Sequence, residues 1–448
     1  MELLMEKSSS ICIQTIIDNI VSYLSGDTCK NIPLVKVSNN NLSTNGELYF
    51  SPNLKVWKSI LHCRNICDGK CATILEHFLH VHSSDISDKT ETDVAKQVLE
   101  LLILSSCNWQ IKIERYLLEK ERVCLFLYRT PLITDSIKAV IHLKCNFGKP
   151  SSINKVFSLK THEDEESELT TARLHLIRSV TENILNLHGC RTGEEEPDFK
   201  LVFTSKSQGN ANENYERCVC GVVKNIDSNT KETTISWKEY IRSKIKELEA
   251  VNDEKFCELY EHKLQADGCF FENVAKAMIT FQLLSVKPSR SIVIGCNSAP
   301  NRAITNMKDA SFILYNTVRI TAIIEKYNDK RSIGKYPDLP NIDDVNFSLL
   351  DDEEEWELIY NFIIGYQTMI KDCLRYEPVF QTNPQVICMF LSRLCQKFSI
   401  YYRRVRILTE AYDHLFPRMI AQLYMLHALQ IVLENALALL NIVPVARM

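Results

Sequence analysis

Hydrophobic positions change their period along the chain, and the changes divide it into regions. Ile387, Leu391, Leu394, Phe398, Tyr401, Val405 and Leu408 recur at steps of four and three, the signature of a helix with one buried face. Met419, Leu423, Leu426, Leu433, Leu437 and Leu440 repeat the pattern, and Ile313, Ile320, Ile324 and Tyr327 predict another helix. Everything after about residue 310 therefore reads as an all-α helical bundle. Between about 170 and 300, helical stretches alternate with short apolar runs at 201–203, 218–223 and 291–295, which predicts an α/β layer with a parallel sheet. Before about 160 the pattern is mixed: 93–104 reads as a helix, 123–128 and 139–143 as strands. The expected architecture is α+β and multidomain, with an α+β region at 1–160, an α/β body at 161–305 and a helical domain at 306–448.

Length supports that division, since 448 residues suffice for two or three cores. Lys+Arg 52 against Asp+Glu 56 gives a net charge of −4, so a polyanion must be met by a local patch rather than by a global field. Three acidic runs, 162–168, 194–198 and 351–355, are expected as solvated loops or first helical turns. The longest uncharged stretch, 419–433, is shorter than the roughly 18 to 20 apolar residues of a membrane span, so no membrane partner is expected. Acidic Met1–Glu6 lacks the basic start of a secretory signal, which points to a cytoplasmic protein whose 17 cysteines are reduced thiols.

Candidate chemistry concentrates on the helix at 387–408. Arg393, Lys397 and Arg404 share one narrow face beside its apolar stripe, joined by Arg403, Arg406, Tyr401 and Tyr402, and no acidic residue occurs from Val379 to Thr409. Guanidinium forks suit phosphates and tyrosine rings suit unstacked bases, a mixture that fits a single-stranded RNA loop. A solvated helix face whose tyrosines belong to the core accounts for the same pattern. Cys63, Cys67 and Cys71 stand at helical spacing near His62, His77, His80 and His82, but the gaps are wrong for a zinc site and no second pair follows, so no metal is expected. No Walker loop, dinucleotide fingerprint, H-E-x-x-H or G-x-S-x-G occurs, and no cofactor is expected. His77-Phe78-Leu79-His80 and Thr204-Ser205-Lys206-Ser207 only superficially match the two nucleotide signatures of class I aminoacyl-tRNA synthetases.

The last residues alter this picture. Val432-Leu433-Glu434-Asn435-Ala436-Leu437-Ala438-Leu439-Leu440-Asn441-Ile442, ending on Arg447-Met448, resembles the V-L-x-x-G-L-x-L-L-G-I run and terminal Arg-Met of arginyl-tRNA synthetase, with Ala436 and Asn441 in place of glycines. His427-Ala428-Leu429-Gln430 stands where the DALR anticodon-binding domain has its name signature. The segments 310–320 and 398–408 resemble that family's Y-x-Q-Y-A-x-x-R-I and F-x-x-F-Y-x-x-x-R-V-L segments. If 171–190 corresponds to the helix after His-x-Gly-His, then Glu168-Leu169-Thr170-Thr171 occupies the signature, and 225–237 lacks K-x-S-x-R. The combination, with the linker 336–340 and Glu354-Glu355-Trp356, resembles the DALR anticodon-binding domain-containing protein 3 family over about 165 to 448.

That resemblance implies a degenerate, Rossmann-like synthetase body followed by a DALR bundle, and a non-catalytic role. The chain would recognise arginine tRNAs and recruit a methyltransferase-like enzyme that makes 3-methylcytidine in the anticodon loop, with DNA not expected as a partner. Arg403, Arg404 and Arg406 would meet phosphates and Tyr401 and Tyr402 bases, with Arg393 and Lys397 on the same helix. Tyr315, Arg319, Arg447 and Met448 match family positions near that surface. The alternatives are a protein-interaction scaffold without tRNA binding and an active arginyl-tRNA synthetase.

Overall fold

The computed structural model describes residues 11–26, 33–61, 71–82, 90–119, 121–150, 153–206, 214–250, 270–295 and 304–443. They form two compact units, one made of Met1–Ala139 with Asn346–Thr368, the other of Val140–Val345 with Met369–Met448. The division departs from the boundaries expected at 160 and 305, because Asn346–Thr368 returns to the N-terminal unit.

In the N-terminal unit, α1 (Ile13–Ser25), α2 (Ile74–His82) and α3 (Glu91–Ser106) accompany an antiparallel sheet of order β1-β2-β4-β3. The strands are β1 (Val35–Val37), β2 (Leu48–Phe50), β3 (Ile113–Leu118) and β4 (Val123–Leu127), and β4 is buried along its whole length. His77-Phe78-Leu79-His80 lies wholly inside α2, away from any strand-to-helix turn. Cys71 is half-buried on the approach to α2, while His62, Cys63 and Cys67 lie outside the described residues. The run 139–143 is helical, not a strand: it closes α4 (Arg129–Leu143), whose first turn holds Pro131, where a missing N–H costs nothing.

Glu47 explains why Asn346–Thr368 belongs here. Its carboxylate is fully buried and accepts from Arg129 Nε at 3.0 Å, Leu127 N at 2.8 Å and Trp356 Nε1 at 2.8 Å. Tyr360 Oη donates to the Glu47 carbonyl at 3.0 Å, and Arg129 reaches Glu353 at 2.8 Å. Burial pushes the Glu47 carboxyl up, opposed by the Leu127 N–H, Arg129 and Trp356. The third acidic run is thus partly internal: Asp352 and Glu355 form a capping box on the helix Glu353–Leu358, and Glu355 is buried.

The second unit begins with a parallel sheet of order β6-β5-β7-β8, as the alternating pattern predicts. Its strands are β5 (Val156–His162), β6 (Arg191–Thr192), β7 (Phe199–Thr204) and β8 (Glu216–Val219). The helix α5 (Glu168–Leu187) packs on it through Leu174, Ile177, Val180 and Ile184, all buried. At Gly221 the chain leaves the sheet, and β9 (Val223–Asn225) pairs in parallel with β10 (Ile292–Ile294) instead. A Cβ on Gly221 would stand 2.2 Å from the Arg290 carbonyl carbon, so only glycine fits this crossing. Tyr240 of α6 (Trp237–Ala250) and Ile279 and Leu283 of α7 (Phe270–Leu284) complete the core there.

Arg173 of α5 ties these parts together without any exposure. Its guanidinium donates to the carbonyls of Leu283 at 3.0 Å, Gly221 at 2.6 Å, Arg290 at 2.7 Å and Lys287 at 3.4 Å. Burial lowers its pKa to about 10, partly opposed by nearby Cys220. The helices α8 (Ile304–Ser332), α9 (Gln385–Arg404) and α10 (Phe416–Leu439) form the bundle expected after residue 310. Not all of that region is helical, since β11 (Leu374–Arg375) and β12 (Gln381–Thr382) make a short antiparallel ladder.

Candidate nucleic-acid interface

The apolar stripe of α9 faces inward as its periodicity requires: Ile387, Leu391, Leu394, Phe398 and Tyr401 are all buried. Tyr401, with 0% exposure, is a core residue and no platform for a base, which corrects the role expected for it. Its place in the four-three stripe already assigns it there. The outer face, half a helical rotation away, carries Met389, Arg393, Gln396, Ile400, Arg403 and Arg404, all exposed. Lys397 is half-buried on its flank.

The helix stops at Arg404 rather than continuing to 408, because Val405 is extended at φ −111° and its N–H closes back on the Tyr401 carbonyl. Arg406 therefore lies beyond the helix, paired loosely with Glu410 at 3.8 Å while both side chains stay well exposed. Such a pair is worth about 0.5 kcal/mol at most and leaves the guanidinium available to a phosphate. Arg403 turns back on its own helix, Nε donating to the Ser399 carbonyl at 3.2 Å.

The organised part of this surface is a three-residue stack. The Arg319 guanidinium sits 4.3 Å from the Tyr315 ring and 4.5 Å from the Tyr402 ring, and donates to the Tyr315 hydroxyl. Tyr315 and Arg319 are one turn apart on α8, so their spacing pairs them, while Tyr402 comes from the end of α9. Cation–π attraction of about 1 kcal/mol per ring holds the guanidinium between two rings at partly wet sites. Tyr402 keeps 39% of its surface in solvent, with Phe398 6.1 Å from its ring on the same helix. Sequence reasoning named all three residues but missed their contact, which depends on how α8 and α9 cross. Arg447 and Met448 lie outside the described residues.

The start of α5 is where the first nucleotide signature is expected to be lost. Ser167 caps the helix by accepting from Thr170 N at 3.2 Å, and Thr170 Oγ1 in turn accepts from Val223 N at 3.1 Å. Around this turn opens a cleft of about 950 Å³ whose lining includes Glu163, Asp164, Glu165, Glu166, Glu168 and Glu239, with His175 held by Glu163 at 3.1 Å. A smaller cavity of about 220 Å³ adjoins it, lined by Asp164, Ser205, Lys206 and Lys231. Lys231 Nζ lies 2.5 Å from Asp164 and 2.8 Å from Glu166, and Ser205 Oγ donates to Asp164 at 2.6 Å.

Asp164 is buried, so the first acidic run is not simply a solvated loop. Burial pushes its carboxyl up, but hydrogen bonds from Lys231, Ser205 and the Glu166 N–H outweigh this and hold it below the usual carboxylate range. The loop bearing Lys231 is pinned from within, Asn225 Nδ2 donating to Glu232 at 2.6 Å and Asn225 N to the Thr230 carbonyl at 2.9 Å. The cations at this cleft's edge are already engaged by carboxylates, so a triphosphate entering it would meet mostly negative charge.

Comparison with known proteins bears on the helical domain and on the fold. Residues 313–448 match the model of the DALR anticodon binding domain. DALR anticodon-binding domain-containing protein 3 of Rattus norvegicus is 30% identical over 180 residues, covering 39% of this chain and 33% of that protein. The Danio rerio protein of the same name is 25% identical over 240 residues, covering 51% of this chain and 41% of its own length. The matched part thus spans well under half the length of these curated relatives. Arginyl-tRNA synthetase from Plasmodium falciparum shares the fold, with a TM-score of 0.60 and 10% identity over 97% of this chain and 98% of that one. The chain is therefore similar over part of its length to DALR anticodon-binding domain-containing protein 3, shares the fold of arginyl-tRNA synthetase, and matches a DALR anticodon binding domain at residues 313–448.

Proposed function

We propose that this protein is a non-catalytic tRNA-binding adaptor. Its DALR domain recognises arginine tRNAs, and the bound tRNA is presented to a methyltransferase-like enzyme that forms 3-methylcytidine in the anticodon loop. The observation that carries the tRNA reading is the Tyr315–Arg319–Tyr402 stack beside the outer face of α9, a flat cationic platform inside a segment that matches an anticodon-binding domain. An unpaired base stacks on Tyr402 while Arg393, Arg404 and Arg406 meet the backbone. The acidic cleft before α5, its lysine engaged by Asp164 and Glu166, supports the loss of adenylate chemistry. The location that accompanies this reading is cytoplasmic. No helix among the described residues is long and apolar enough to cross a membrane.

Purification of the tagged full chain, with sequencing of bound small RNA and identification of bound proteins, tests it. Enrichment of arginine tRNAs with a methyltransferase is expected. A methyltransferase without tRNA would favour the scaffold alternative, for which the acidic cleft is the supporting observation. Arginine-dependent pyrophosphate exchange would overturn the non-catalytic reading.

A further inference from the structure

The tRNA-binding reading uses only part of the exposed surface of α9. Besides its three exposed arginines and Tyr402, that surface carries Met389, Gln396 and Ile400. Solvated helix faces ordinarily mix glutamate with lysine, whereas α9 has no acid and a single lysine, the half-buried Lys397. Methionine, arginine and aromatic residues in place of Lys, Glu, Asp, Ser and Ala are the composition of a protein interface rather than of open surface. Met389 is 48% exposed and Ile400 41%, and neither side chain has anything to offer a phosphate.

These residues sort into two lines along the helix. At about 100° per residue, Met389, Gln396, Ile400 and Arg403 fall within about 60° of one another, at steps of seven, four and three. That is the spacing of a coiled-coil seam, and it lies opposite the buried stripe of Ile387, Leu391, Leu394 and Phe398. From Met389 to Arg403 the seam is about 21 Å long, roughly four turns. Arg393, Lys397 and Arg404 form the neighbouring line, centred about 70° further round.

We propose that the line from Met389 to Arg403 is the docking surface for the chain's protein partner, which lays an acidic amphipathic helix along it. The proposal rests on the adaptor reading above and names the chemistry of the contact between the chain and its enzyme. A straight seam of this length is matched by a second helix, whose apolar side chains cover Met389 and Ile400. Charge fixes the rest of the partner. No carboxylate occurs from Val379 to Thr409, so the flanks of the incoming helix supply the acid that complements this surface. Arg403 is set to receive it: the Ser399 carbonyl holds its Nε at 3.2 Å, and its two terminal amino groups form a fork that a carboxylate fits. Arg393, Lys397 and Arg404 stay with the RNA, so one helix carries tRNA and enzyme on adjacent lines.

The test puts the photo-crosslinking residue p-benzoylphenylalanine in place of Met389 or Ile400 in the full chain. Each protein is irradiated with the methyltransferase recovered in the purification above, with and without an arginine tRNA. Cross-links from both positions to one Asp- and Glu-rich peptide of the enzyme are expected. Cross-links to the RNA instead, or to neither, overturn the docking surface. The double substitution M389D/I400D gives a second measure: binding of the enzyme should weaken about tenfold while tRNA affinity is unchanged. Equal losses of enzyme and tRNA would make this line part of the RNA surface and overturn the proposal. If the unmodified chain retains no methyltransferase, the adaptor reading fails and this proposal with it.

Discussion

Two helices of twenty residues each, α5 and α9, sit in the same unit and treat charge in opposite ways. Apart from His175 and the partly screened Arg178, α5 turns its strongest cation inward, where Arg173 is consumed by four backbone carbonyls, and presents carboxylates at its first turn. By contrast, α9 keeps its interior apolar apart from Gln385 in its first turn and directs Arg393, Arg403 and Arg404 to the surface. An arginine locked into carbonyls is a structural part, whereas an arginine on an exposed face stays in contact with solvent. The contrast therefore separates a helix whose cation holds the fold together from one whose cations face solvent, as the proposed tRNA contact requires.

Replacement of Arg173 by Met should break this comparison most severely. Four carbonyls lose their donor in a dry site, and a loss of about 3 kcal/mol or more in chemical denaturation is expected. Truncating Tyr402 to Ala should cost about 1 kcal/mol of stability, from its contact with Arg319, but weaken tRNA binding about tenfold, by the usual worth of one base–aromatic stack. A loss of stability without a loss of binding in that variant would make Tyr402 a packing residue instead.

Smaller effects sharpen the acidic side. Asp164→Asn should cost about 2 kcal/mol, as a charged hydrogen-bonded pair with Lys231 is lost. Because the folded-state carboxyl titrates below its unfolded value of 3.8, this stabilisation is present above about pH 4 and disappears as pH falls through the folded value. The variant's denaturation midpoint should accordingly lose its dependence on pH in that acid range. His188 gives a gentler test: burial lowers its pKa, partly opposed by the Ile370 carbonyl, and Tyr376 contacts its Nδ1 at 3.2 Å. Stability should be complete above pH 6.5 and decline as pH falls toward the folded value, with His188→Gln flattening that slope.

The bundle was legible in the sequence because its periodicity runs over whole helices, so one misplaced residue cannot obscure the face. The run at 139–143 was misread because five apolar residues fit a strand and a buried helical turn equally well, and the deciding Pro131 lies eight positions earlier. Tyr401 and Tyr402 are neighbours in sequence but 100° apart on a helix, so grouping them as one binding pair ignored the stripe that separates them. The Asp164–Lys231 pair joins positions far apart in the chain, and no local pattern announces it. The same holds for Tyr402 over Arg319, although each residue was named.

Asn346–Thr368 also sets an order of events during synthesis. The ribosome completes Glu47 and Arg129 long before Trp356 and Tyr360, so the carboxylate of Glu47 must wait, incompletely satisfied, until residue 360 has left the exit tunnel. A DALR fragment expressed from residue 306 would carry Trp356 and Tyr360 without their acceptor, and an N-terminal fragment ending before 346 would keep Glu47 with Leu127 and Arg129 but without Trp356 and Tyr360. Each half on its own should be a client for chaperones, and mixing the two polypeptides should restore what neither retains alone.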